Sequence, residues 1–282
     1  NLLIFSVFSQ IQPERAVVNL RDLHKASFTQ LAVPIAKAEP FLAYALVWQE
    51  KGSEPRIRFS VDGERWSDWQ TIQQDTHVES DNNLKISKLY ITDKYNKIFQ
   101  ISGIEQDAEL HFYSPDATPE ASLQDPVQPR SGDCPCTQPA YQNRANWCPD
   151  NNCPPNASPS FTNVTHLIVH HSAGTNVAND WAAIVRAIWN LHVNVNGWAD
   201  VGYNWLIDPN GVVYEGRGDD VLGAHFCGTN GGTMGVCLLG DFTNVEPTVA
   251  AQNSLIELLA WKSCDRSIDP LGVSLHASSG RN

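Results

Sequence analysis

The residues with the most chemical capacity in this sequence lie at the end of one short apolar run. Residues 165–175 read THLIVHHSAGT, so His170 and His171 arrive together and the chain then breaks into Ser172, Ala173 and Gly174. An apolar run of this length between turn signals predicts a buried strand whose end meets solvent. Successive strand residues point to opposite faces, so the two histidines do not easily share one metal ion. One is a candidate ligand, and the other packs or supports it. The pair reads equally as two imidazoles satisfied by local hydrogen bonds, and residue types alone leave both readings open.

The elements that must position this strand follow it directly. Asn179 or Asp180 is a helix cap, and Trp181, Ile184, Val185, Ile188, Trp189 and His192 recur at helical spacing to an end near Asn196 and Gly197. VGYNWLID, a Pro209-Asn210-Gly211 turn and VVYEGRG then predict a hairpin. GVCLLGDF reads as another buried strand, and Thr248 caps a helix with apolar positions Ala251, Leu255, Leu258, Leu259 and Trp261. This order predicts an α/β domain built on a mixed sheet.

A length of 282 residues suits two domains. Upstream of the histidines, residues 41–113 show all-β patterning, with FLAYALVWQ as a continuous apolar strand and Ile57, Phe59 and Val61 alternating with Arg56, Arg58 and Ser60 before an Asp62-Gly63 turn. Several further short strands follow, which predicts a sandwich-like domain over 36–114. Trp66 and Trp69 in WSDW are expected to close a hairpin core; a sugar-stacking platform is the alternative. Residues 114–160 hold more than half of the 17 prolines and read as a linker over 115–160. Cys134, Cys136, Cys148 and Cys153 in it suit disulfides in an oxidising compartment better than a zinc knuckle. With seven cysteines the count is odd, which leaves one without a partner in the sequence. Residues 1–10, NLLIFSVFSQ, resemble the tail of a secretory leader, within a lead segment 1–35. No apolar run reaches the length of a membrane span, and a net charge of −12 excludes nucleic acid as a partner.

Four strings, VHHSAG, GWADVGYNWLIDPNGVVYEGRG, GAHFCGTN and TMGVCLLGDF, occur in one order and spacing. Together they resemble the zinc-dependent N-acetylmuramoyl-L-alanine amidases, the group that includes peptidoglycan recognition proteins, from about residue 144 onward. The resemblance implies a mixed-sheet α/β amidase domain over 161–282, secreted, periplasmic or at the cell surface. Peptidoglycan, through its muramyl peptide, is the implied partner and Zn²⁺ the implied cofactor. It implies His170 as a zinc ligand and Tyr203 as a catalytic group near the metal-bound water. It assigns His225 and Asn230 to the peptidoglycan groove, and His192 and Trp198 to the helix end and loop leading into it, where packing is an equal reading. Zinc lowers the pKa of bound water to about 7, and a phenol donates a hydrogen bond to a developing oxyanion, so these residue types suit amide hydrolysis.

One departure bears on activity. Some relatives take a glutamate base from the strand that here carries Cys237, which places this chain with the tyrosine-using branch; Cys237 itself reads as an inert buried thiol. The family draws its second histidine and a cysteine from a segment after the last helix, so two ligands are expected beyond Asn282, with a partner there for an odd cysteine such as Cys264. His276 reads as a loop histidine rather than their substitute. A peptidoglycan-binding protein without catalysis is the alternative function.

Overall fold

Alternating side chains build the first part of the molecule. In the computed structural model, residues 15–20, 35–36, 41–49, 54–76, 78, 84–92, 98–104, 108–124, 136–226 and 228–276 are described. The leader-like residues 1–10 and Cys134 fall outside them. The chain divides into two units, residues 1–116 and 117–282.

In the first unit, one sheet takes the order β1 (Arg15–Asn19), β9 (Ala108–Tyr113), β3 (Ala43–Gln49) and β6 (Leu84–Ile86), with β7 (Tyr90–Ile91) also on β3. A second takes the order β2 (Ile35–Ala36), β8 (Ile98–Ser102), β4 (Arg56–Ser60) and β5 (Gln70–Thr71). Every pairing in both is antiparallel. Both sheets feed one core, in which Tyr44, Leu46, Leu110 and Phe112 meet Ile57 and Phe99. Trp66 and Trp69 are not part of that core, contrary to the sequence expectation. Strand β4 turns Ile57 and Phe59 toward the core, while the two indoles lie beside Arg58 on the other side of the strand.

The second unit is built on a mixed sheet of order β10 (His166–His171), β13 (Thr233–Leu238), β11 (Trp205–Ile207) and β12 (Val213–Glu215). β10 and β11 run parallel to β13, and β12 pairs antiparallel with β11 as the expected hairpin. Met234, Val236 and Leu238 of β13, with Trp205 and Ile207 of β11, pack against Ala251 and Leu258 of helix α4 (Val249–Asp265). Two shorter helices, α1 (Glu120–Gln124) and α2 (Arg144–Trp147), precede β10, and α3 (Trp181–Asn190) follows it.

Both predicted caps form. The Asp180 side chain accepts from Ala183 N at the start of α3, and Thr248 Oγ1 accepts from Ala251 N at the start of α4. Each such cap satisfies one of the helix's orphan donors and stabilises it by about 1 kcal/mol. Helix α3 does not run on as a regular helix to Asn196; it widens into a π-helical turn over Leu191–Val195, which carries His192. The later part of the proline-rich stretch is not a spacer either. Trp147 is fully buried and donates from Nε1 to Glu215 O, Arg144 reaches Asp200 and Cys153 O, and Cys148 is bridged to Cys153. Proline content concealed one indole, and that indole anchors the segment into the unit. Cys264 is also disulfide-bonded, so it needs no partner from further sequence.

Candidate functional site

The site grows from strand register. His170 stands opposite Cys237 on the neighbouring parallel strand, and Gly235 lies two residues before Cys237 on the same face. Gly235 leaves a hollow that the His225 ring fills: a Cβ there would sit 2.4 Å from His225 Cδ2 and 2.5 Å from Cγ. Gly223 presses the same ring from its own loop, where a Cβ would come within 2.4 Å of Cδ2. His225 therefore lies between two glycines that only a missing side chain makes possible.

The loop around His225 is held by Asn230, whose Oδ1 accepts from the backbone N–H groups of His225 and Phe226 at 2.8 and 2.9 Å. Thr233 Oγ1 donates to Asn230 O at 2.8 Å and lies 3.3 Å from His225 Nε2. With its one hydrogen spent on Asn230, the threonine oxygen accepts from His225 Nε2–H. His225 Nδ1 is then an acceptor, and the contact at 3.0 Å is a hydrogen bond donated by His170 Nε2–H. Burial, reinforced by His170 and Arg217, holds the His225 pKa down at about 3, so this ring stays neutral. This direct link between two imidazoles joins residues 55 positions apart.

Tyr203 completes the cluster, its ring 5.7 Å from that of His170 and 6.4 Å from that of His225. Its side chain hydrogen-bonds to Cys237, a fully buried thiol whose pKa burial pushes well up, so the thiol stays protonated. His192 backs Tyr203 from the π-helical turn, 5.9 Å ring to ring, and stacks at 4.5 Å on Trp198. Its Nδ1 accepts from Gly202 N at 2.9 Å, which fixes the backbone immediately before Tyr203. A π-turn at such a place is frequent at functional sites, because the extra residue re-aims a side chain.

The structure thus gathers His170, Tyr203, His225, His192 and Trp198, with Asn230 in the supporting loop rather than in ring contact. His171 points away, accepting at Nδ1 from Phe242 N. His276 sits at a loop, 2.9 Å from Gly231 O and stacked on Phe226. Sequence reading assigned His225 to a ligand groove and missed its bond to His170, together with Thr233 and the two glycines that seat it. The GAH and MGV strings carried that signal, since a glycine beside a buried ring marks close approach. Among the described residues, no group of three or more His, Cys, Asp or Glu side chains is placed to hold a metal ion.

The model of a family described as N-acetylmuramoyl-L-alanine amidase matches residues 160–281. Peptidoglycan recognition protein 3 of Homo sapiens is 32% identical over 140 residues, which are 48% of this chain and 38% of that protein. Peptidoglycan recognition protein 1 of Bos taurus is 41% identical over 101 residues, 34% of this chain and 53% of that protein. The chain spans about half or less of the length of these curated relatives. The crystal structure of Drosophila peptidoglycan recognition protein SD is 30% identical with a TM-score of 0.42, covering 45% of this chain and 76% of that one.

Proposed function

From a chain that belongs, through residues 160–281, to the N-acetylmuramoyl-L-alanine amidase family, we propose that the second unit engages the muramyl peptide of peptidoglycan. Its reaction is hydrolysis of the amide between the lactyl group of N-acetylmuramic acid and L-alanine. The observation that carries this reading is the convergence of His170, Tyr203 and His225 from three separate segments. The Tyr203 hydroxyl is the group to donate a hydrogen bond to the scissile carbonyl as negative charge develops on it. In the resting site that hydroxyl donates to Cys237, whose own thiol hydrogen goes to Leu238 O, so on substrate binding the hydroxyl hydrogen turns from the sulfur to the carbonyl; His192 and Trp198 fix the segment that presents it.

Zinc is the cofactor this reaction implies, and His170 is the ligand proposed for it. A catalytic zinc takes three protein ligands, and the described residues hold no such group. They do not make the centre by themselves. A second reading, binding without cleavage, is favoured by the 3.0 Å bond from His170 to His225, which engages one His170 nitrogen with its neighbour. The Cys148–Cys153 bridge and the bonded Cys264 support a secreted, periplasmic or surface location.

Purified sacculi separate the two readings. Co-sedimentation measures binding, and labelling of new amino termini on L-alanine, with and without added zinc, measures cleavage. Binding with zinc-dependent release supports the hydrolase, binding without release supports the second reading, and absence of binding overturns both.

A further inference from the structure

The first unit carries a second built surface, remote in sequence from the histidine cluster. Strand β4 turns Arg56 and Arg58 away from the core, and the segment after its turn lays Trp66 and Trp69 beside them. The Arg58 guanidinium lies 5.0 Å from the centroid of Trp66 and 4.7 Å from that of Trp69, and Arg56 lies 5.9 Å from Trp69. Arg58 Nε donates to Gln100 Oε1 at 2.7 Å, from the residue opposite it on β8. The turn is braced separately: Asp62 Oδ1 accepts from Glu64 N and Arg65 N, Trp66 Nε1 donates to Gly63 O, and Asp62 pairs with Arg65. The indoles are thus positioned by the turn, and the cations by the indoles.

Charge makes this face unusual for its chain. Acidic side chains outnumber basic ones, 31 to 19, yet neither Arg56 nor Arg58 makes an ion pair among the described residues. Of the acids near in sequence, Asp62 is committed to the turn and to Arg65, while Glu54 and Asp68 are exposed and pair with neither arginine. Two cations therefore stand side by side on one strand face, held by stacking and, among the described residues, paired with none of the carboxylates near them. The arrangement is complementary to an anion. Residues two apart on a strand have Cα atoms about 7 Å apart, which suits successive charges on a polymer better than one small ion. Half-buried indole surface next to guanidinium forks suits pyranose rings that carry carboxylates, because the ring C–H face stacks on tryptophan while the carboxylate meets the fork.

We propose that the outward face of β4, with Trp66 and Trp69, binds a carboxylate-bearing polysaccharide. This does not depend on the reaction assigned to the second unit. The test uses the full chain and three immobilised polymers: alginate as the polyuronate, dextran as a neutral glycan and polyphosphate as a sugar-free polyanion. Retention on alginate that is lost at high salt, with dextran passing through and polyphosphate held at least about tenfold more weakly, is the expected result. Arg56→Gln, at an exposed side chain that lies over the Trp69 ring, weakens alginate binding about tenfold, the loss of one charge-assisted contact. Arg58→Lys, which keeps the charge but not the planar fork, weakens it as well. Thermal unfolding of each variant checks that the first unit remains folded. Equal retention on polyphosphate and alginate, no retention on alginate, or unchanged affinity in a folded Arg56→Gln variant each overturns the proposal.

Discussion

Substituting Gly235→Ala tests the arrangement of the histidine cluster with a single methyl group. The added Cβ would lie 2.4, 2.5 and 2.7 Å from Cδ2, Cγ and Nε2 of His225, where ordinary contact needs more than 3.4 Å, so the ring must move by about an ångström. It has little room to do so. Gly223 packs on it from its own loop, His170 holds Nδ1 at 3.0 Å, and Thr233 holds Nε2 at 3.3 Å. Overpacking of a tight core costs about 1–3 kcal/mol, and displacement of the ring forfeits a buried hydrogen bond worth about 1 kcal/mol more. The expected loss is therefore about 2–4 kcal/mol, measured by urea unfolding of the second unit. Sedimentation with sacculi should weaken in parallel. Gly231→Ala is the matched control, because a Cβ at Gly231 meets nothing within 4 Å. If Gly235→Ala were as stable as Gly231→Ala and bound sacculi equally well, the packing of His225 on Gly235 would be wrong, and the proposed cluster with it.

Other outcomes follow from the same geometry. Tyr203→Phe keeps the ring beside His170 and removes the hydroxyl, so sacculus binding should persist while amide cleavage falls about 10²-fold or more; unchanged cleavage would remove Tyr203 from the chemistry. Replacing both Cys148 and Cys153 by alanine opens a loop with a sequence separation of 5, and denaturant titration should show a loss of about 2 kcal/mol. Stability should also fall on acidification because of His225. The unfolded chain takes up this proton below 6.5 while the folded ring resists it down to about 3. Unfolding therefore becomes easier as pH drops through that window, by up to about 1.4 kcal/mol per pH unit, with no contribution above it. His225→Gln should flatten this part of the profile, and an unaltered slope would assign the acid sensitivity to other groups.

Much of the second unit is legible locally. The strand ending at His170 and His171, the caps at Asp180 and Thr248 and the hairpin around Pro209, Asn210 and Gly211 each depend on a few consecutive residues, and each forms. Strand β10 is nevertheless not the buried strand its apolar run predicted: it takes the sheet edge, where none of its residues is buried and Val169 is exposed. Elements whose structure depends on distant partners are harder to read. Residues 115–160 look like a linker until Trp147 is seen to donate to Glu215 O, 68 residues away. Trp66 and Trp69 look like core until strand β4 is seen to present Arg58 to them. Lys262 on α4 drew no reading from the sequence, and the structure buries it fully over the Trp261 ring, paired with Asp219. Composition describes what a side chain prefers, whereas these three sites are decided by which partner the fold supplies.

The same division runs through the candidate site. Alternation along β10 separates His170 from His171, and the structure sends them to His225 and Phe242 respectively. What alternation cannot supply is the register between β10 and β13, which sets His170 against Cys237 and makes Gly235 the seat of His225. Once that register is known, the hydrogens follow in sequence: Thr233 donates to Asn230 O, so His225 donates to Thr233 and accepts from His170. The donor role of His170 Nε2 is thus set by a threonine 63 residues further along the chain. Thr233→Val removes the acceptor for His225 Nε2–H and frees that ring to exchange tautomers, at a cost of about 1–3 kcal/mol for the donor left unsatisfied. Nitrogen-15 shifts of the His170 and His225 rings should report the change. If both rings kept their tautomers in the valine variant, the hydrogen-bond order from Asn230 to His170 would not be what fixes the site.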